Sequence, residues 1–387
     1  MSNTFRLLGL EELRARECAK WRFYPDDVLP LWVAEMDFAI ADGIKEAIKA
    51  HVDTDDLGYP AMKGKPGLKE AVAERLSVRY GANFAVDGIT SLGSTVAGMV
   101  YGSRAFAEPG DEVLLLTPLY PPFKRSVVET GRVPVEVELV RGPDRYEIDM
   151  DALRAAITPR TRLLMLCNPH NPIGLMYTRQ ELNQLAELVL EHDLMVVSDE
   201  LHADLNYGGQ HVPFASLSPE VAARTVTLYG PTKAFNFPGL GISFMLTDGP
   251  EVLERLNAAR GGLHSWPSRL AEAATMAAYR DCDDWLDAAL QQLQRNRDRV
   301  TQFARRALPD GAMHVPEATY LAWLDLRQAG LGDMPAARLT ELAKVGLSEG
   351  ADYGQGGEGF VRLNFATCDD VLEQALERLD SALALPA

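Results

Sequence analysis

A chain of 387 residues is longer than one hydrophobic core usually holds, so it is expected to divide into two domains. A hydrophobic share of 47% excludes a disordered polymer, and 38 basic against 55 acidic side chains, a net charge of −17, disfavour nucleic acid and anionic membrane as partners. Cys18, Cys167, Cys282 and Cys368 lie far apart without a CxxC pair, no signal-peptide run opens the chain and no stretch approaches a membrane span, so free thiols and a cytoplasmic location are expected.

Residues 1–45 read as an N-terminal arm, with a short helix over 7–20. Residues 28–38 are apolar but broken by Pro30, Glu35 and Asp37, which suits a strand running into a loop. Residues 40–52 and 66–80 predict helices, the second with Leu68, Ala71, Val72 and Leu76 on one face, and Leu57-Gly58-Tyr59-Pro60 predicts a turn between them. Around Ser94 and Thr95, small and hydroxyl residues pass into an apolar helical stretch. That pattern fits either a phosphate-holding helix N-terminus or a plain N-cap.

Strand and helix then alternate. Strands are predicted over 112–117, 133–139, 161–167, 194–198, 224–229 and 242–246, and Thr178 with Glu181 forms a capping box opening a helix through Leu190. Apolar strands without alternation, separated by helices, imply an α/β fold with a mostly parallel sheet buried on both faces. Beyond Ser268, helical patterns run to about Arg306. A smaller α+β section follows, with strands over 320–326 and 360–365 and helices over 336–345 and 369–383. The expected division is a large domain, 46–284, and a smaller unit formed by 1–45 and 285–387.

The chemistry-bearing residues gather at predicted strand ends, the edge where open α/β sheets bind ligands. Asn168 and Asn171 follow one strand, Asp199 and His202 the next, and Lys233 the one after. Lys233 has no other charged residue between Arg224 and Asp248. Burial would lower its pKa and free an amine able to form a Schiff base, although, taken alone, the local pattern fits a snorkelling lysine better. Asp199 is either a helix cap or a buried anion awaiting a cation such as a pyridinium nitrogen, and His202 either structural or close to the same ring. Arg362, alone in an apolar strand, needs an internal acid or a substrate carboxylate. Tyr120 is core or a stacking surface, and Tyr59 packing or a ligand hydroxyl. No HExxH, Cys/His, GxSxG or Walker spacing is present, so no metal is expected.

Several segments together carry a family resemblance: 31–38 (LWVAEMDF), Gly58-Tyr59-Pro60, 118–123 (PLYPPF), 167–172 (CNPHNP), 199–204 (DELHAD) and Arg362-Leu363-Asn364. Over nearly its whole length the chain resembles fold-type I pyridoxal 5'-phosphate (PLP) enzymes of the class I/II aminotransferase superfamily. Within them it is similar to the cystathionine β-lyase, or MalY/PatB-like C–S lyase, branch. The resemblance implies a PLP-dependent transferase-like fold and catalytic roles for Lys233, Asp199 and Tyr120. Lys233 would form the Schiff base, Asp199 pair with the ring nitrogen and Tyr120 stack on the ring. Asn171 and His202 would lie near the ring hydroxyl, and the backbone at Ser94 and Thr95 would hold the phosphate. Tyr59 would reach the phosphate of a neighbouring subunit, implying a homodimer, and Arg362 would bind the α-carboxylate of an amino-acid substrate.

The implied reaction is β-elimination from L-cystathionine or a related L-cysteine S-conjugate, with an aminotransferase or a PLP-binding regulator as alternatives. Gly230 stands where the family carries a serine, so Thr232, Ser94 or Thr95 is expected to supply the missing phosphate contact. Gly174, in place of threonine, and Leu92, in place of proline, are further departures. Trp32, Asp37, Tyr320 and residues 263–266 are expected to shape the pocket for the sulfur substituent.

Overall fold

The computed structural model describes residues 4–61, 64–262 and 266–384. Its centre is a seven-stranded sheet formed by β1 (Ile89–Leu92), β2 (Glu112–Thr117), β3 (Val133–Glu138), β4 (Thr161–Cys167), β5 (Met195–Asp199), β6 (Thr225–Tyr229) and β7 (Ser243–Leu246). The strand order is β1-β7-β6-β5-β4-β2-β3. Neighbours from β6 through β3 pair in parallel, while β7 runs antiparallel to both β6 and β1.

Neighbouring residues in one strand enter different cores. Leu114, Leu116, Leu164, Leu166 and Val196 join the apolar cluster on one face; Val113, Leu115, Leu163, Met165 and Val197 join that on the other. This two-sided burial is why the strands read as continuous apolar runs. The expected capping box is present in both directions between Thr178 and Glu181, opening the helix Arg179–Glu191. The helix Thr95–Phe106 lies unusually close to the sheet. A Cβ on Gly98 would come 2.5 Å from Leu228 Cδ2, and one on Gly102 would come 2.4 Å from Val197 Cγ2. Glycine at these two places lets the helix settle on the sheet with its N-terminus beside the ends of β5 and β6.

A second sheet comprises β8 (Leu321–Asp325), β9 (Ser348–Glu349) and β10 (Phe360–Asn364), in antiparallel order β8-β10-β9. The helices Asp283–Ala307 and Asp369–Leu383 accompany it, and Phe235, Trp285 and Leu363 share one apolar cluster. The helix expected over 7–20 is instead two short ones, Leu10–Arg14 and Ala19–Arg22. Lys20 is drawn into the interior, where its ammonium lies 2.7 Å from Asp37 Oδ2 and donates to the Glu35 carbonyl, while Trp21 Nε1 donates to Asp37 Oδ1. The arm continues through Leu29–Pro30, parallel to Val345–Gly346, into an extended segment. Among the described residues no helix is long and apolar enough to cross a membrane, and all four cysteines are free.

Candidate active site

The parallel strands deliver their C-terminal ends to one cavity of about 220 Å³. Strand β5 ends on Asp199, β6 is followed four residues later by Lys233, and β4 is followed by Asn171. Tyr120 comes three residues after β2, and Ser94 and Thr95 open the helix that follows β1. All of these, with His202, Thr232 and Arg362, line the cavity, so the structure brings together nine of the ten residues given catalytic, cofactor-binding or substrate-binding expectations in the sequence. Apolar groups, among them Val33, Val96, Met99, Pro238 and Ile242, complete the wall.

Asp199 is buried, and the Leu201 N–H donates to its Oδ1 at 3.1 Å. Burial pushes the carboxyl up to about 7; the Glu200 charge adds to this, while the Leu201 N–H and Lys233 oppose it. Lys233 Nζ donates to the Ala34 carbonyl at 2.7 Å and forms no salt bridge among the described residues. Burial lowers this amine to about 8, the Arg362 guanidinium acting in the same direction and Glu35 and Asp199 against it. His202 is lowered to about 3 by burial and then by the Lys233 and Arg362 charges, so the imidazole is neutral. Its Nδ1 is buried without a hydrogen-bond partner among the described residues.

Arg362 is central in β10. Nη1 donates to Asn171 Oδ1 at 3.0 Å, and Nη2 donates to the Trp32 carbonyl at 2.7 Å and to Ser348 Oγ at 3.2 Å. The guanidinium carbon lies 5.1 Å from the Tyr353 ring centre. No carboxylate pairs with it among the described residues, yet it is buried and faces the cavity. A buried cation held only by neutral acceptors could receive an anion from outside the chain.

The remaining expectations fall differently. Tyr59 does not line the cavity; it is 90% exposed, with its ring 6.3 Å from that of Trp266. Asp37 holds Lys20 and Trp21 instead of facing the cavity. Residues 263–265 lie outside the described residues. Tyr320 is buried and donates to the same Ala34 carbonyl as Lys233, at 3.0 Å. Trp32 contributes its carbonyl to Arg362. A Cβ on Gly230 would meet Ser243 Cα at 3.2 Å and Leu201 Cδ1 at 3.3 Å, so the position of the absent serine is closely packed. The Ser94 hydroxyl accepts from the Val96 N–H at 3.2 Å and acts here as an N-cap.

Two asparagines were given no role in the sequence reading. Asn364 Nδ2 donates to the Val33 and Glu35 carbonyls, and Asn236 bonds the backbone of Met36 and Phe38. Together they pin the segment that lays Ala34 over the cavity. Period two along β10 puts Asn364 on the same face as Arg362, a signal that could have found it.

Comparison with known proteins accords with this geometry. The family described as aminotransferase class I and II matches residues 26–379. The cystathionine beta-lyase PatB of Bacillus subtilis (strain 168) is 37% identical over 97% of this chain and 98% of its own. The crystal structure of OvoB superposes with a TM-score of 0.91 at 37% identity, covering 97% of this chain and 98% of that one. Cystalysin from Treponema denticola, whose structure contains a pyridoxal 5'-phosphate cofactor, gives a TM-score of 0.89 at 31% identity and covers 96% of each chain.

Proposed function

Because the chain belongs to the aminotransferase class I and II family, we propose that it is a PLP-dependent C–S β-lyase, cleaving L-cystathionine or a related L-cysteine S-conjugate to a thiol, pyruvate and ammonia. The observation that carries the reading is the meeting, in one cavity, of a lysine amine lowered to about 8 and a buried arginine with no carboxylate partner among the described residues.

The residues present fit the cofactor. Asp199 is a buried carboxyl without a paired cation among the described residues, suited to a cationic ring nitrogen. The first turn of the helix Thr95–Phe106 gives the cavity a positive end suited to a phosphate, with Ser94, Thr95 and Thr232 at hand. Tyr120 offers a flat ring, and Asn171 and His202 offer polar groups beside it. When bound, PLP supplies an electrophilic carbonyl carbon for amines and a conjugated ring that takes up carbanion charge.

The chain's own residues do the rest. Lys233 Nζ, largely neutral above about pH 8, holds the cofactor at rest and takes the proton from the substrate Cα once displaced. The Arg362 fork binds the α-carboxylate and so sets which Cα bond faces Lys233. Asn171 and Ser348 hold that fork, and the segment containing Ala34 shields the cavity from water. The sulfur leaves Cβ with the electron pair of the broken C–S bond.

We read the assembly as a homodimer and the compartment as cytoplasmic. Supporting the first, Tyr59 is exposed away from its own cavity, where a neighbouring subunit could receive it; supporting the second, the cysteines are free. The two sheets likewise support a division into domain 46–284 and a second unit of 1–45 and 285–387. The test is to incubate PLP-loaded protein with L-cystathionine and other cysteine S-conjugates. Pyruvate without an added 2-oxo acid is expected; product only when a 2-oxo acid is supplied would instead identify an aminotransferase. Sedimentation gives the oligomeric state.

A further inference from the structure

Behind the cavity wall lies a buried polar cluster that the reaction does not use. Arg75, on the helix Leu68–Tyr80, is 5% exposed and is not part of the cavity lining. Its Nε lies 3.2 Å from Asp204 Oδ2 and 3.2 Å from the Tyr229 hydroxyl, and Nη1 lies 2.9 Å from Asp283 Oδ1. The flat guanidinium sits between two rings, 5.2 Å from the centre of Phe235 and 4.7 Å from that of Tyr279. Tyr229 donates to Asp204 Oδ2 at 2.8 Å and Tyr80 to Asp204 Oδ1 at 2.5 Å.

The places these partners occupy in the chain give the cluster its meaning. Tyr229 is the last residue of β6, and Phe235 stands two residues past Lys233. Arg75 therefore grips both ends of the irregular segment 230–234 that carries the amine. Asp204 lies two residues past His202 and five past Asp199. One guanidinium thus ties the segment leaving β5 to the segment leaving β6. Within the lysine segment itself, the Phe235 N–H to Pro231 carbonyl bond and the Phe237 N–H to Thr232 carbonyl bond are the short-range backbone links. A loop so lightly tied needs support from outside, because an error of about 1 Å in a reacting group can cost on the order of a hundredfold in rate.

We propose that Arg75 is a positioning residue for Lys233, its guanidinium clamping Tyr229, Phe235 and Asp204 so that the loop presents the amine opposite Asp199. The inference rests on the reading of Lys233 as the cofactor-binding amine. It predicts that loosening the clamp alters the cofactor's attachment before it alters the fold. Tyr229→Phe removes one hydroxyl and leaves the ion pair in place; Arg75→Lys keeps the charge and loses the fork and the stacked plane.

The experiment uses the PLP-loaded enzyme and measures the PLP dissociation constant, the pH midpoint of the visible absorption band and the melting temperature. For Tyr229→Phe the dissociation constant is expected to rise about tenfold, the worth of one hydrogen bond to a charged group. The band midpoint should move, and kcat should fall without a matching rise in KM. Arg75→Lys should go further in the same direction. Variants that lose melting temperature while keeping the wild-type dissociation constant and band midpoint would overturn the inference and leave Arg75 a stabilising residue only. A wild-type chain that takes up no PLP would overturn the parent reading, and this one with it.

Discussion

Two lysines, Lys20 fully buried and Lys233 partly so, stand in opposite electrostatic settings. Lys20 has its ammonium 2.7 Å from the Asp37 carboxylate and a second bond to a backbone carbonyl. Lys233 has one carbonyl, that of Ala34, and no salt bridge among the described residues. The arginines divide in the same way: Arg75 is paired with Asp204 and Asp283, while Arg362 is held by an amide oxygen, a carbonyl and a hydroxyl. Burying a charge is expensive, and one buried without its opposite could be met by a group from outside the chain. Paired charges tie elements together, whereas these unpaired ones gather on one cavity.

That contrast can be broken at Lys233 first. Lys233→Ala should lower turnover by about 10⁴-fold or more while leaving the melting temperature unchanged or higher, because it removes a desolvated amine and no ion pair. Lys20→Met should do the reverse. It strands the Asp37 carboxylate in the interior and should cost about 3–5 kcal/mol of stability, most of it recovered in Lys20→Met/Asp37→Leu, as denaturant unfolding would measure.

The pH dependence of the cofactor-free protein sharpens the same point. With Asp199 raised to about 7 from an ordinary 3.8, the folded state holds the extra proton between those values, so stability falls as pH rises from about 4 to 7. About three pH units correspond to an effect on the order of 4 kcal/mol. Lys233, lowered to about 8 from 10.5, acts in the other window: there the unfolded state holds the extra proton, and stability rises as pH rises from about 8 to 10.5. These two groups therefore contribute least near pH 7–8, and Asp199→Asn should remove the acid limb from a series of unfolding curves. The smallest effect is expected for Arg362→Lys. It keeps the charge, loses the fork and should lower kcat/KM by about 30- to 100-fold, with the melting temperature little changed.

The residues of the site were legible in the sequence where two signals coincided. Asp199, Asn171 and Lys233 are polar groups at the end of an apolar strand or within four residues of it, and the strands were readable because both of their faces are buried. The capping box at Thr178 and the terminal helix Asp369–Leu383 were equally local and fell where expected. The arm was not legible: Leu10–Arg14 and Ala19–Arg22 separate where Lys20 reaches Asp37, a contact made 17 residues away. Asp37 looked like a pocket residue for the same reason, since nothing near it in sequence reveals the ammonium it meets in the fold.

By itself, then, the sequence determined the alternating elements, their two-sided burial and the identity of the groups at the strand ends, because these follow from local patterning and backbone periodicity. The tertiary structure alone decided which charges are paired. Lys20 and Arg75 found carboxylates across the fold; Lys233 and Arg362, among the described residues, found only neutral acceptors. It also decided that β7 runs against its neighbours and that Ala34 is laid over Lys233 by Asn364 and Asn236. Pairing is a matter of distance in space, and the strength of a charge interaction depends on that distance and on the loss of water around it, neither of which is written in residue order.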